Sequence, residues 1–189
     1  MTRRRVTDEQ YGQLWRRLEE VARRVDEGTI RFEPTMDDLQ KLVVGNKRGS
    51  ILTLTLNPSS STVANEAKRR GLKLVNDSDQ SLKAGEVELE LCQVLHAGET
   101  RVDGDEMVRR AIKMGADKGE KHANAFLAQY KNWAPPKGVR YITFPGAVWQ
   151  DGLGYPCVPY LAWDGDEWCL GFNWLGDGWN DGDRLLRHK

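Results

Sequence analysis

Three histidines and three cysteines are all this chain offers for metal or nucleophilic chemistry, and each scarcity excludes something. His96, His122 and His188 stand at no zinc spacing with another ligand, and His122 is expected on the solvent side of a helix. Cys92, Cys157 and Cys169 are too few and too odd in number for a disulfide framework. Buried free thiols are the expectation, with a single Cys157–Cys169 bridge as the alternative. No apolar run approaches the ~18 residues that signal a membrane span. The Arg3-Arg4-Arg5 start leads into a polar helix and not into a signal-peptide core, so a cytoplasmic location is expected. Excess charge of one sign is also missing, with 28 basic and 28 acidic residues, and no nucleic-acid partner is expected. Gly-x-Ser-x-Gly, a phosphate loop and a dinucleotide glycine fingerprint are all absent, so the chain reads as a non-enzyme with no cofactor.

What the chain does have is tryptophan at one end. Five of its seven, Trp149, Trp163, Trp168, Trp174 and Trp179, fall in residues 149–189. Glycine, aspartate and asparagine lie between them. Large amphipathic rings anchor recognition surfaces, and those small polar residues make turns and polar contacts. Residues 139–189 carry four Lys/Arg against seven Asp/Glu, which disfavours phosphate as the ligand.

The remaining pattern divides the chain. Thr7 opens a helix with apolar positions Tyr11, Leu14, Trp15, Leu18, Val21, Ala22 and Val25, ended by Gly28. A second, shorter helix follows Pro34-Thr35 and stops at Gly45, so residues 1–49 read as a helical hairpin able to support a homo-oligomer. Residues 50–84 read as a linker segment: a strand at Ile51–Leu56, a helix over 62–70 capped by Ser61, and an Asn76-Asp77-Ser78-Asp79 loop placed at the domain boundary. From Gly85, Val87, Leu89 and Leu91 alternate with glutamates as a strand with one wet face. Asp103 caps a helix closed by Gly115, Asp117 caps another broken by Pro135-Pro136, and short strands follow at 139–144, 156–163, 167–174 and 183–187.

Strand, helix, helix, several strands over residues 85–189 resembles a C-type-lectin fold, in which the first and last strands pair. Ala111-Ile112-Lys113-Met114-Gly115-Ala116, followed by Ala125-Phe126-Leu127, resembles that fold's helix, Gly-Ala turn, helix passage. Trp179-Asn180-Asp181 is similar to the element preceding its last strand, where sugar-binding members use Asn and Asp as calcium ligands. The fold's cysteine pairs are missing, as is a Glu-Pro-Asn or Gln-Pro-Asp partner for that element. The disulfide-free form it is most similar to is that of the variable proteins of diversity-generating retroelements. The resemblance implies an α+β chain whose C-terminal strands and loops display a hypervariable ligand-binding face.

On that face the expected contributors are Trp163, Asp164, Asp166 and Trp168 around a hairpin-like turn. Cys169, Gly171 and Asn173 are expected on the outer side of the following strand, and Asp177, Trp179, Asn180, Asp181 and Asp183 near the end. Leu170, Phe172 and Trp174 share the other parity and are expected in the core. The outer residue types are ones that adenine changes in an Asn codon reach, and equally ones that ordinary turns use. An EF-hand is excluded because positions three and twelve from Asp177 are Trp179 and His188. A one-sided calcium site at Asn180 and Asp181 stays open, and no metal is assigned. The ligand class is an unidentified protein or carbohydrate. Two alternatives stand beside this reading: an SH3-like module in residues 139–189 that reads cell wall or peptide, and a hydrolase using Asp164/Glu167 or Asp177/Asp181.

Overall fold

The computed structural model describes residues 8–29, 51–57 and 59–189. The chain divides into two units, Met1–Lys47 and Arg48–Lys189. In the first, α1 (Asp8–Asp26) follows the expected helix. Arg23 is flanked by Glu20 at 2.7 Å and Glu27 at 2.5 Å, a solvated ion-paired face of the i, i+3/i+4 kind. Trp15 and Leu18 are exposed on α1, and the second helix expected after Pro34 lies outside the described residues.

The second unit is α+β. Its elements are β1 (Ile51–Leu56), α2 (Thr62–Arg69), β2 (Lys73–Asp77), β3 (Gly85–Cys92), β4 (Arg101–Val102), α3 (Gly104–Lys113) and α4 (Glu120–Tyr130). Then come β5 (Tyr141–Thr143), β6 (Ala147–Gln150), β7 (Pro156–Trp163), β8 (Trp168–Trp174), β9 (Trp179–Asn180) and β10 (Asp183–His188). The main sheet runs β1-β3-β10-β5-β7-β6-β2 with β8 on β7, and β4 pairs β9 separately. Every pairing is antiparallel except β10 with β5.

Side-chain alternation puts a core on each face of the sheet. Leu186 and Cys157 join Val63 and Ala67 of α2 and Ala123 and Phe126 of α4, while their neighbours Leu185 and Val158 join Met107 and Ala111 of α3 with Trp179. The free edge of β1 is covered as well. Thr53 N and O bond the Tyr130 hydroxyl, and Thr55 N and O bond the Gln129 amide, so α4 satisfies the backbone groups an edge strand leaves open.

Several expectations are corrected by the structure. Residues 51–77 are no linker: β1 and β2 are the two ends of the sheet, and the boundary placed at residues 76–79 falls inside the unit. That loop caps α4. Asp77 Oδ1 accepts the Glu120 amide at 3.1 Å and Asp79 Oδ2 the His122 amide at 3.0 Å, in place of the expected cap Asp117. A Cβ at residue 119 would lie 2.0 Å from Asp77 Oδ1, so any side chain in place of Gly119 displaces the capping carboxylate. His122 is correspondingly buried rather than solvent-facing, 1 % exposed, with Nδ1 2.7 Å from Asp79 Oδ2. Burial works against the Asp79 charge, yet the His122 ring and the amides of His122 and Gly119 hold its carboxyl below the usual range. Other caps are also tertiary or local as the case requires. The Ser61 hydroxyl accepts from the Asn65 side chain but caps no backbone amide of α2, whose Val63 amide is taken by Asn124 Oδ1 of α4, whereas Asp103 does accept the Glu106 amide at 2.8 Å.

Candidate functional site

The cleft begins with a turn. Asp151 Oδ1 accepts the amides of Leu153 and Tyr155, both at 2.9 Å, and the Gln150 side chain donates to Gly154 O at 2.7 Å. These bonds fix the β6–β7 connection with Leu153 and Tyr155 pointing away from any core, 83 % and 58 % exposed. The Tyr155 amide above all, with the Leu153 amide and the Trp174 side chain, keeps the Asp151 carboxyl below the usual range against the opposing effect of burial. Beside the turn, β8 ends on Trp174, 55 % exposed. The chain then passes the N-terminus of α3 so closely that a Cβ on Gly104 would meet the Leu175 carbonyl oxygen at 1.8 Å.

These three pieces enclose a cleft of ≈ 550 Å³, within the range of pockets that hold small ligands or side chains. Its walls are Leu153, Tyr155, Pro156, Trp174 and Leu175, with Asp103, Asp105, Asp151 and Asp177 among them and no Lys or Arg among the described residues that line it. Three of the largest exposed apolar side chains of this unit thus meet at one concavity. Exposed apolar groups that gather rather than scatter mark interaction sites.

The residues expected at the site fall in three places. Asp177 lines the cleft. Trp163, Asp164, Asp166, Trp168 and Cys169 lie at the β7–β8 turn, where Asp164 Oδ1 accepts the amides of Asp166 and Glu167, and the Cys169 thiol donates to Asp164 Oδ2 at 3.4 Å. Asp164, Glu167 and Cys169 bring ligand-type atoms within 4.8 Å of one another, but the Asp164 carboxylate is already spent on its turn and Glu167 pairs with Lys131 at 2.8 Å. At the β9 corner, Asn180 Oδ1 accepts the Gly182 amide and Asp183 Oδ2 the Asn180 amide. Asn180 and Asp181 remain exposed there, whereas burial pushes the Asp183 carboxyl up.

Several placements reverse the expectation. Trp168 is core, 1 % exposed: its ring packs on Phe126, Trp133 and Trp163, and its Nε1 donates to Trp133 O at 2.8 Å. Trp163 is half-buried against the same cluster. Trp179 is buried beneath α3 with Met107 and Leu185, Gly171 is buried under the Tyr160 ring, and Asn173 is partly buried. Trp174, expected inside, is outside. The SH3-like alternative fails on topology, because β10 lies between β3 and β5 and residues 139–189 therefore share their sheet with residues 85–92. Sequence reasoning missed Leu153, Tyr155, Asp151 and the Asp103–Asp105 wall. The signal was present in Asp151-Gly152-Leu153-Gly154-Tyr155: large apolar residues between glycines have no strand or helix face on which to be buried.

The three thiols are free, and the register of β7 with β8 sets Cys157 opposite Trp174 and Cys169 opposite Ala162, too far apart along the hairpin for a bridge. Burial pushes Cys92 and Cys157 up to about 11. The buried Asp79–His122 pair is not among the cleft residues. No described helix is long and apolar enough to cross a membrane. The chain matches no protein-family model, no curated protein and no solved structure.

Proposed function

We propose that this protein is a non-catalytic recognition protein of C-type-lectin-like build, related in kind to the variable proteins of diversity-generating retroelements. Its ligand, a protein or carbohydrate, binds at the cleft between the β6–β7 turn, the end of β8 and the start of α3. The observation that carries the reading is the convergence of Leu153, Tyr155 and Trp174 on one cleft whose turn is fixed by Asp151. A rigid turn that holds apolar side chains in water loses little entropy when those side chains are covered. The lectin-like reading is supported by the antiparallel pairing of β3 with β10, the first and last strands of residues 85–189, with α3 and α4 between them in sequence. Free thiols fit a disulfide-free version of that build and a reducing compartment.

Protein and glycan arrays probed with the wild-type chain and a Leu153→Ala/Tyr155→Ala/Trp174→Ala variant test the binding. Ligands retained by the wild type and lost by the folded variant are expected; ligands held equally by both contradict the site. The retroelement part has a separate genomic test. A near-copy of the last ~100 nucleotides, differing only at adenines and beside a reverse transcriptase, is expected, and its absence removes that part.

A further inference from the structure

We propose that the cleft takes an organic cation, an alkylammonium or guanidinium group on an apolar stem. This inference rests on the recognition reading above and names the chemistry of its ligand. The cleft combines two things that a cation with a greasy stem needs. One is ring face: Trp174 and Tyr155 are each more than half exposed beside Leu153, and indole and phenol faces attract a cation within ~6 Å of the ring centre. The other is an excess of negative charge: Asp103, Asp105, Asp151 and Asp177 line the cleft, and no described residue of its walls is basic.

Two features oppose a negative potential, and both are too small to cancel it. The N-terminus of α3 is worth roughly half a positive charge, and the Asp103 carboxylate already accepts one of its amides. One guanidinium, that of Arg101, lies over Gly178, next in the chain to Asp177. Against about one and a half positive charges stand four carboxylates, of which Asp151 is kept below the usual carboxyl range by the amides of its own turn. An anionic ligand would meet this field head-on. A neutral apolar one would gain the ring contacts but nothing from the carboxylates. A cation gains both, in a concavity whose low-dielectric walls strengthen the attraction relative to open water.

The test uses three water-soluble probes of nearly one shape: choline, its neutral carbon isostere 3,3-dimethylbutan-1-ol, and the anion 3,3-dimethylbutanoate. Binding to the full chain is read from the Trp174 indole and the Leu153 and Tyr155 amides by two-dimensional NMR. Choline is expected to bind about tenfold more tightly than the alcohol, the anion more weakly than either. An Asp105→Asn/Asp177→Asn variant is expected to lose most of that cation preference while its response to the alcohol is unchanged. Raising salt from 50 to 500 mM is expected to weaken choline and not the alcohol. Equal affinity for choline and the alcohol, preference for the anion, or no response at the cleft to any probe overturns the proposal. Those outcomes leave the array and genomic tests of the recognition reading standing, and array ligands held equally by the wild type and the cleft variant would fail that reading independently.

Discussion

Trp168 and Trp174 sit on the same strand with the same parity, six positions apart, yet one is 1 % exposed and the other 55 %. Alternation assigns both to one face of β8. What differs is what lies over that face. At the Trp168 end α4 and the segment after it supply Phe126 and Trp133, and the Trp133 carbonyl receives the indole N–H. Midway, Phe172 is covered by Trp149 and Arg70. Past Phe172 the cover ends, and Trp174 stands beside the Asp151 turn at the mouth of the cleft. Parity tells which residues share a side; only tertiary cover decides whether that side is core or display surface.

This contrast can be broken most forcefully from its buried end. Trp168→Ala removes a fully enclosed ring and is expected to cost about 4 kcal/mol, lowering the melting point by roughly 10–15 °C in a calorimetric scan. A drop of less than about 3 °C would mean that the cluster around Phe126 does not support the fold.

Asp79→Asn tests whether the cap on α4 is equally structural. Loss of the charge that faces His122 is expected to cost about 3 kcal/mol at neutral pH in urea unfolding. The sign of the pH dependence follows from the depressed Asp79 value: its stabilisation is complete above the unfolded carboxyl value near ~3.9 and is lost as the pH falls through the lower folded value. The gap between wild type and variant should therefore close below about pH 4. A gap that persists unchanged to pH 2 would show that shape rather than charge is responsible.

The smallest expected effect is chemical. The bond to Asp164 raises the Cys169 thiol as burial raises Cys92 and Cys157, but only Cys169 is exposed, so an aromatic disulfide reagent should label one thiol well ahead of the other two in the native protein and all three after unfolding. Fast labelling of two or three would show that β7 and its neighbours open readily.

The parts of this fold that were legible in the sequence are those fixed by neighbours in the chain. Asp103 caps α3 from the adjacent position, Gly115 closes it, and the Asp164 turn between β7 and β8 is built from its own amides. The parts that were not legible depend on residues far along the chain. The true cap of α4 comes from Asp77 and Asp79, some forty positions earlier, and that of α2 from Asn124, sixty-one positions later. β2 has four exposed residues of five and no alternation to betray it; its pairing with β6 makes it a strand. The site shares this division. The acidic, aromatic character of the C-terminal region is visible in composition, whereas choosing Trp174 over Trp168 requires knowing that α4 covers one end of β8 and not the other.

The central claim, that the uncovered end of β8 serves recognition while the covered end serves folding, is tested most directly by Trp174→Ala read in two ways on one sample. The variant is expected to melt within about 2 °C of wild type, to keep its unfolding free energy within ~0.5 kcal/mol, and to lose the array ligands that the wild type retains. A melting point ten degrees lower, or undiminished binding by a variant that lacks this ring, would contradict it.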